Sequence, residues 1–240
     1  QTLQLVVGSL DNDAGRIAST GGSDAQIRVV DTLSNRGGSI GANGDLAVGA
    51  GEIDNRGGKF QSLGHLALVV DGLLDNGSGS GSGNGGGQLL AGSGLDLSAG
   101  RVANVEGQIA TGGTLRTAIA GALDNRGGLI EGQLLAIKAA GLDNRDSGKL
   151  NSLGGEGATV SVDGEFDNRG GQAASNGDLA VAVGRLTNAA GRLQAQGQVH
   201  LPTTGDLDNA AGSLAAGNLV VTAGRQLDNR GGSIEAQSLQ

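Results

Sequence analysis

The hexapeptide Leu123-Asp124-Asn125-Arg126-Gly127-Gly128 decides the fold, because it returns with small changes along almost the whole chain. The segment 227–232 repeats it residue for residue. At its centre is an asparagine that occurs eleven times, at intervals of 19 to 28 residues. These asparagines are Asn12, Asn35, Asn55, Asn76, Asn104, Asn125, Asn144, Asn168, Asn188, Asn209 and Asn229. A repeat of about 20 residues is typical of a solenoid, in which each repeat forms one coil.

Apolar residues keep fixed places around each asparagine. The residue two positions before it is apolar in every copy: Leu10, Leu33, Ile53, Leu74, Val102, Leu123, Leu142, Phe166, Leu186, Leu207 and Leu227. A second apolar site follows the turn, as Ile17, Ile40, Phe60, Ile109, Ile130, Leu193, Leu214 and Ile234, and is reduced to Ala173 in one copy. A third group is an alternating pair such as Leu135 and Ile137, whose spacing of two puts both side chains on one face of a strand.

These short apolar segments can be buried only by stacking on the equivalent segments of the next repeat. The repeat therefore predicts an all-β fold, a parallel β-helix of about eleven coils of roughly 20 residues. Crossover preference favours right-handed coiling. Leu123, Leu142, Leu207 and Leu227 are expected to stack in one aliphatic column, and a narrow interior explains why Phe60 and Phe166 are the only aromatic residues.

The corner of each coil is predicted to carry a ladder of asparagine side chains, which bond to the backbone or to the asparagine one coil away. The strongest candidates are Asn35, Asn55, Asn125, Asn144, Asn168, Asn209 and Asn229. A glycine pair such as Gly127 and Gly128 suits a positive φ at this corner. Stacked aspartates such as Asp124 would repel one another, so Arg126 is expected to screen them.

The composition excludes several classes of protein. Glycine contributes 49 of 240 residues, which disfavours helix, and the net charge of −8 without a basic cluster disfavours nucleic acid and anionic membrane surfaces as partners. No apolar run reaches the length of about 20 residues that a membrane span needs, so we expect no membrane insertion by this segment. Cysteine is absent, which excludes disulfides and thiolate metal sites.

The largest interruption of the repeat runs from 77 to 94 and is rich in Gly and Ser. We expect a flexible loop extruded from one coil. This loop is either a tolerated insertion or a ligand-binding or protease-sensitive loop, and the candidate binding contacts are Ser78, Ser80, Ser82 and Asn84. Smaller expansions at 19–26 and 151–158 lie between the second and third apolar groups, so one side of the rod is predicted to bear most of the loops.

No residue pattern predicts catalysis, a cofactor or a metal. His65 and His200 have no partner at ligand spacing, and we expect both on a solvated outer face. The aspartates of the repeat recur identically, whereas an enzyme that cleaves acidic polysaccharides needs a unique acidic site. Calcium would need six to eight converging oxygens, so pairing of these aspartates with arginine is the preferred interpretation. The chain is predicted not to be an enzyme.

The phrases at 123–128 and 227–234, returning about every 20 residues, resemble the filamentous haemagglutinin repeat. The resemblance covers 10–240. It implies a right-handed β-helical fibre of a bacterial two-partner secretion exoprotein, exported through an outer-membrane β-barrel transporter and secreted or displayed at the cell surface. Adhesins and the stalks of contact-dependent growth inhibition toxins belong to that family, and virulence and cell adhesion are the processes that it implies.

One departure from the family is that its secretion domain, with Asn-Pro phrases, is missing, since Pro202 is the single proline. We expect residues 1–240 to be one domain cut from a longer fibre. The first functional hypothesis is a stalk that presents an adhesive or toxic tip to target cells. The second is a surface that is itself adhesive for carbohydrate or a receptor on a host or neighbouring cell, and the third is a β-helical polysaccharide-degrading enzyme.

Overall fold

The computed structural model describes residues 2–79 and 85–239, and within these ranges it contains strands and turns but no helix. The strands are β1 (Leu3–Val7), β2 (Leu10–Asp11), β3 (Arg16–Ser19), β4 (Ala25–Val29), β5 (Thr32–Ser34), β6 (Ser39–Ala42), β7 (Leu46–Ala50), β8 (Glu52–Asp54), β9 (Lys59–Ser62), β10 (His65–Asp75), β11 (Gln88–Ala91), β12 (Gly94–Ala103), β13 (Gln108–Thr111), β14 (Thr114–Asp124), β15 (Leu129–Gly132), β16 (Leu134–Asp143), β17 (Lys149–Ser152), β18 (Ala158–Asp167), β19 (Gln172–Ser175), β20 (Leu179–Thr187), β21 (Arg192–Ala195), β22 (Gln198–Thr203), β23 (Leu207–Asp208), β24 (Ser213–Ala223), β25 (Leu227–Asp228) and β26 (Ser233–Leu239). The predicted all-β parallel solenoid of about eleven coils is confirmed.

Each coil has three faces. Face A is the strand that follows the asparagine turn, as in β3, face B is the strand after the next corner, as in β4, and face C is the short strand before the next asparagine, as in β5. In the middle of the chain, faces B and C join in one bent strand, such as β14, whose register shifts between Ile119 and Ala122. The chain therefore passes from face B to face C through a bend within one strand and not through a separate loop.

Equivalent residues lie over one another because the paired strands are parallel and in register. On face B, Leu115 pairs with Leu95 of the coil before it and with Leu135 of the coil after it. On face C, Leu123 pairs with Val102 and Leu142. Like therefore packs on like, as the repeat predicts.

The core is a column of aliphatic side chains, with three inward positions on face B and fewer on faces A and C. Leu123 is fully buried, as is Phe166 on the same face. Phe60 is fully buried on face A, between Ile40 and Leu89. Each such side chain contributes about 1.5 to 3 kcal/mol by leaving water. Within the coils, this stacking is the main source of stability.

Two coils contain a second apolar site that the fixed spacing does not reveal. Leu89 of β11 pairs with Phe60 and Ile109, although it lies far behind its asparagine in sequence. Leu150 of β17 lies over Ile130 because the turn before it carries one extra residue. The columns of face A are therefore filled in the two coils where the sequence pattern breaks.

The predicted loop at 77–94 is too long at its C-terminal end. Strand β11 lies in the sheet, and Gly94 already begins β12, because Leu89 and Leu95 are needed in the buried columns. The interruption ends at Gly87 and lies at the asparagine corner. The smaller expansions share the corner between faces A and B, whereas the long insertion lies at a different corner. The prediction that one side bears most of the loops therefore holds for the two smaller expansions and not for the long insertion.

Candidate functional surfaces

A continuous chain of side-chain hydrogen bonds joins the eleven asparagines. In each step the Nδ2 group donates to Oδ1 of the asparagine one coil further, over 2.6 or 2.7 Å, from Asn12 to Asn229. The nine asparagines between these two are completely buried. The predicted ladder residues Asn35, Asn55, Asn125, Asn144, Asn168, Asn209 and Asn229 are all placed in this asparagine column.

Each buried amide also holds its own turn closed. Asn125 Nδ2 donates to Gly128 O over 3.3 Å and to Lys149 O of the next coil over 3.2 Å. Its backbone N–H donates to Asp143 O over 2.7 Å. Every polar atom of the side chain is thus satisfied inside the solenoid, which a buried amide requires. The arrangement is structural and offers no free group for chemistry.

The two glycines of the motif have different roles. Gly127 has a φ of 63°, the left-handed conformation that glycine adopts readily, whereas Gly128 has no such requirement. A Cβ on Gly128 would lie 2.2 Å from Asn104 O of the preceding coil, so Gly128 is needed for the close approach of two coils. The expectation of a positive φ therefore holds for the first glycine only.

An exposed column of aspartate and arginine runs beside the asparagine column. Arg126 Nη2 lies 2.7 Å from Asp124 Oδ2, and Arg126 Nε lies 3.7 Å from Asp143 of the next coil. Four arginines, Arg36, Arg56, Arg126 and Arg145, each contact carboxylates of two coils and separate them, as predicted. Arg169 and Arg230 pair with the aspartate of their own turn. The hydrogen bond from Arg36, followed by that from Ser34, lowers the pKa of Asp13 to about 2.

The long insertion leaves the solenoid within the asparagine turn without breaking the ladder. Gly87 N–H donates to Gly77 O over 2.9 Å and closes its base, and Ser78 forms an antiparallel bridge with Gly86. Gly87 replaces the close-approach glycine, since a Cβ there would lie 2.2 Å from Asn55 O. Of the predicted loop contacts, Ser78 lies at this base. The other three, Ser80, Ser82 and Asn84, lie outside the described residues.

A shallow groove of about 460 Å³ crosses the outer side of face B in the middle coils. Its floor consists of small or aliphatic side chains: Ala67, Val69, Ala118 and Ala136. Charged side chains line it as well: Asp96, Arg116 and Lys138. A second groove of about 470 Å³ shares Ala67 and Val69 and continues toward the first coils. We call the two together the face B groove.

The repeat pattern does not by itself predict the face B groove, although the sequence carries a signal for it. The outward residue between each alternating apolar pair is alanine in several coils, for example Ala47, Ala67, Ala136 and Ala180. Small side chains in one outward column leave a depression along the sheet. Val30 and Val69, with 67% and 57% of their surface exposed, are exposed apolar side chains in this groove.

The histidines and acidic residues form no metal site in the part of the chain that the structure describes. No group of three or more His, Cys, Asp or Glu side chains converges there. His65 is less isolated than its sequence context suggests, because its Nε2 lies 3.1 Å from Asp96 Oδ2 at the edge of the face B groove. His200 lies one coil above Ala180 on the outer side of face B.

The described ranges, 2–79 and 85–239, contain no helix that is long and apolar enough to span a membrane.

A family model described as the haemagglutinin repeat matches the chain at residues 5–78, 76–127, 126–170, 155–211 and 200–231. Together these matches extend from residue 5 to residue 231, which is nearly the whole solenoid. No curated protein and no solved structure matches the chain.

Proposed function

Because the chain belongs to the haemagglutinin repeat family, we propose that it forms a stalk segment of a bacterial exoprotein and presents an adhesive or toxic tip to target cells. The family is one of non-enzymatic adhesins, typically secreted or at the cell surface. The observation that supports a stalk is the unbroken ladder from Asn12 to Asn229, which couples every coil to the next. A rod joined in this way resists bending.

The proposal includes the route of export. An outer-membrane β-barrel transporter of the two-partner type would pass the chain before it folds. The absence of cysteine supports this step, since no disulfide has to form before or during passage. Folding outside the cell would then follow from the short-range contacts of each coil with its neighbour. Contact-dependent growth inhibition and host adhesion are the two systems that such a stalk would serve.

Variants that change the length of the stalk but keep an intact asparagine turn at the junction test the proposal. Deleting 126–188 from the exoprotein joins Asn125 to Ala189 and removes three coils, about 14 Å of rod. The matched variant replaces 126–188 by a second copy of 13–76, which has three coils of different surface. We expect the replacement to preserve binding of producing cells to target cells, and electron microscopy to show the deletion as a shorter fibre. Loss of binding in the equal-length replacement would contradict a spacer role.

A second candidate function is direct adhesion, and the face B groove is the observation that favours it. Its aliphatic floor suits the apolar face of a sugar ring, and Arg116 and Asp96 at its side offer hydrogen-bonding groups. Filling it by Ala118→Trp would abolish glycan or receptor binding if the groove is the binding surface. Ala110→Trp on the outer side of face A is the matched control. Equal binding by both variants would leave the stalk as the function.

A further inference from the structure

Two corners between faces A and B share the sequence Asn-Gly-Asp-Leu-Ala-Val, at 43–48 and 176–181. In both, the asparagine Nδ2 donates to a backbone carbonyl of the preceding coil over 2.8 Å, Thr20 O for Asn43 and Leu153 O for Asn176. In both, the aspartate Oδ1 accepts a backbone N–H of the next coil over 2.7 Å. The two corners are therefore a matched pair within one chain.

The pair differs in the residue before the asparagine, which is Ala42 in one corner and Ser175 in the other. It also differs in one contact of the asparagine, because Asn176 Oδ1 accepts a hydrogen bond from Gln196 Nε2 over 3.2 Å. Ser175 Oγ accepts the N–H of Gly177 over 3.1 Å. The N–H of Gly44 has no hydrogen-bond acceptor among residues 2–79 and 85–239. Gly177 is buried and Gly44 is partly exposed. A free, accessible backbone nitrogen next to an exposed asparagine side chain thus occurs at the first corner.

We propose that Asn43 is a site of spontaneous deamidation and that Ser175 protects the equivalent Asn176. The Gly44 nitrogen loses its proton and attacks Asn43 Cγ. The bond from Cγ to Nδ2 breaks, ammonia leaves, and a succinimide forms. Water then opens the ring to aspartate or isoaspartate. The missing Cβ of Gly44 allows this approach, and the free N–H is the group that must be deprotonated.

A third Asn-Gly pair, Asn76-Gly77, is protected in a different way. The Asn76 side chain is fully buried in the asparagine column, where its Nδ2 donates to Asn104 Oδ1 over 2.7 Å and to Gly87 O over 2.9 Å. The Gly77 N–H donates to Asp75 Oδ1 over 3.1 Å. Neither the electrophile nor the nucleophile is free. The fourth such pair begins at Asn84, outside the described residues.

Deamidation at Asn43 would alter the corner itself. The product has no Nδ2 group to donate to Thr20 O, and it adds a negative charge beside Asp24 and Asp45, which are already joined through the Asp45 N–H. The modified corner therefore loses one link between coils and gains charge repulsion. The change is irreversible, so it accumulates with the age of the folded protein.

Peptide mapping of the folded protein after incubation at neutral pH tests the proposal. Trypsin places Asn43 in the peptide 37–56 and Asn176 in the peptide 170–185. We expect Asn43 to deamidate at least about fivefold faster than Asn176, the factor that one hydrogen bond supplies, while Asn76 stays intact. Equal rates at Asn43 and Asn176 in the folded chain would overturn the proposal.

The reciprocal substitutions isolate the hydroxyl. Ala42→Ser should slow deamidation of Asn43 about fivefold, and Ser175→Ala should accelerate that of Asn176 by a similar factor. Ala42 lies in register with Ser19 and Ser62, so a serine fits this column. In denaturant, where no corner exists, both asparagines should react equally. No effect of Ala42→Ser in a folded variant would refute the protective role of the hydroxyl.

Discussion

The asparagine column and the aspartate and arginine column run side by side, yet one is invariant within the chain and the other varies. All eleven coils keep the asparagine. The residue before it becomes Ser34, Ala103 or Thr187 in some coils, and the residue after it becomes Asp13, Gly77, Val105, Ala189 or Ala210 in others. Ten of the eleven asparagines are buried, whereas the paired arginines are 35 to 88% exposed. Water can replace the partner of an exposed charge but not that of a buried amide.

The long insertion shows which parts of the turn this requirement covers. The chain between Asn76 and Gly87 departs from the repeat, and both ends of it stay in register with their neighbours. The solenoid therefore needs the asparagine and the close-approach glycine of each coil. The residues between these two points are free to change in number, provided that the turn can close beneath them.

The largest effect is expected from Asn125→Ala. The substitution leaves Asn144 Oδ1 without its side-chain donor and Asn104 Nδ2 without its side-chain acceptor, and it costs about 3 to 5 kcal/mol in the free energy of unfolding. Chemical denaturation measures it. The matched control is Asn151→Ala on the outer side of face A, which should cost less than about 1 kcal/mol. Similar losses of stability in the two variants would mean that an amide in the buried ladder contributes no more than an amide on the surface.

The adjacent glycines provide the next comparison. Gly128→Ala should cost about 3 kcal/mol, because its Cβ would collide with Asn104 O, and the two coils would have to separate. Gly127→Ala should cost about 1 kcal/mol, because alanine tolerates the left-handed conformation, as Ala190 and Ala211 do in other coils. Thermal unfolding of both variants checks the order. A larger loss from Gly127→Ala would reverse the roles assigned here.

A buried hydroxyl outside the asparagine column should give a gain in stability. Thr117 points into the face B core between Leu97 and Ile137, and its Oγ1 has no hydrogen-bond partner among the described residues, 2–79 and 85–239. Thr117→Val removes this unsatisfied group at nearly constant volume and should stabilise the fold by about 1 kcal/mol. The denaturation midpoint should rise. A fall would show that the hydroxyl is satisfied in solution.

A small effect is expected from Arg126→Ala. The ion pairs of Arg126 with Asp124 and Asp143 are largely exposed to solvent, so their loss should cost about 1 kcal/mol or less. A higher salt concentration should reduce the difference in the free energy of unfolding between the variant and the wild type, since screening weakens exposed ion pairs. A cost equal to that of Asn125→Ala would remove the distinction between the two columns.

The smallest effect appears in acid. The lowered pKa of Asp13, about 2 against an ordinary 3.8, means that the native state binds fewer protons than the unfolded state between these values. The stability from this carboxylate is therefore present above a pH of about 4 and is lost as the pH falls to about 2. As the pH falls across this range, the unfolding midpoint of the Arg36→Ala variant should fall less steeply than that of the wild type. The same pH dependence in both proteins would show that the Asp13 carboxylate does not gain stability from Arg36.

The sequence predicted the fold and the asparagine column because both recur in every coil, so eleven copies report the same requirement. It missed Leu89 and Leu150, since an insertion and an extra turn residue displace them along the chain while leaving their place in the column unchanged. It also missed the face B groove, which is formed by several coils together, and the hydrogen bond from Gly177 N–H to Ser175 Oγ, which depends on the local geometry of one corner. The right-handed coiling, which follows from crossover preference, stays a prediction.

Distances between spin labels test the coil-over-coil stacking most directly. A label at Ala47 is combined with one at Thr159 or at Val220, all in one outward column of face B. Stacking predicts separations of about 24 Å and 38 Å, an increase of about 4.8 Å for each coil. Equal or reversed distances would show that equivalent segments are not stacked in order and would contradict the solenoid fold.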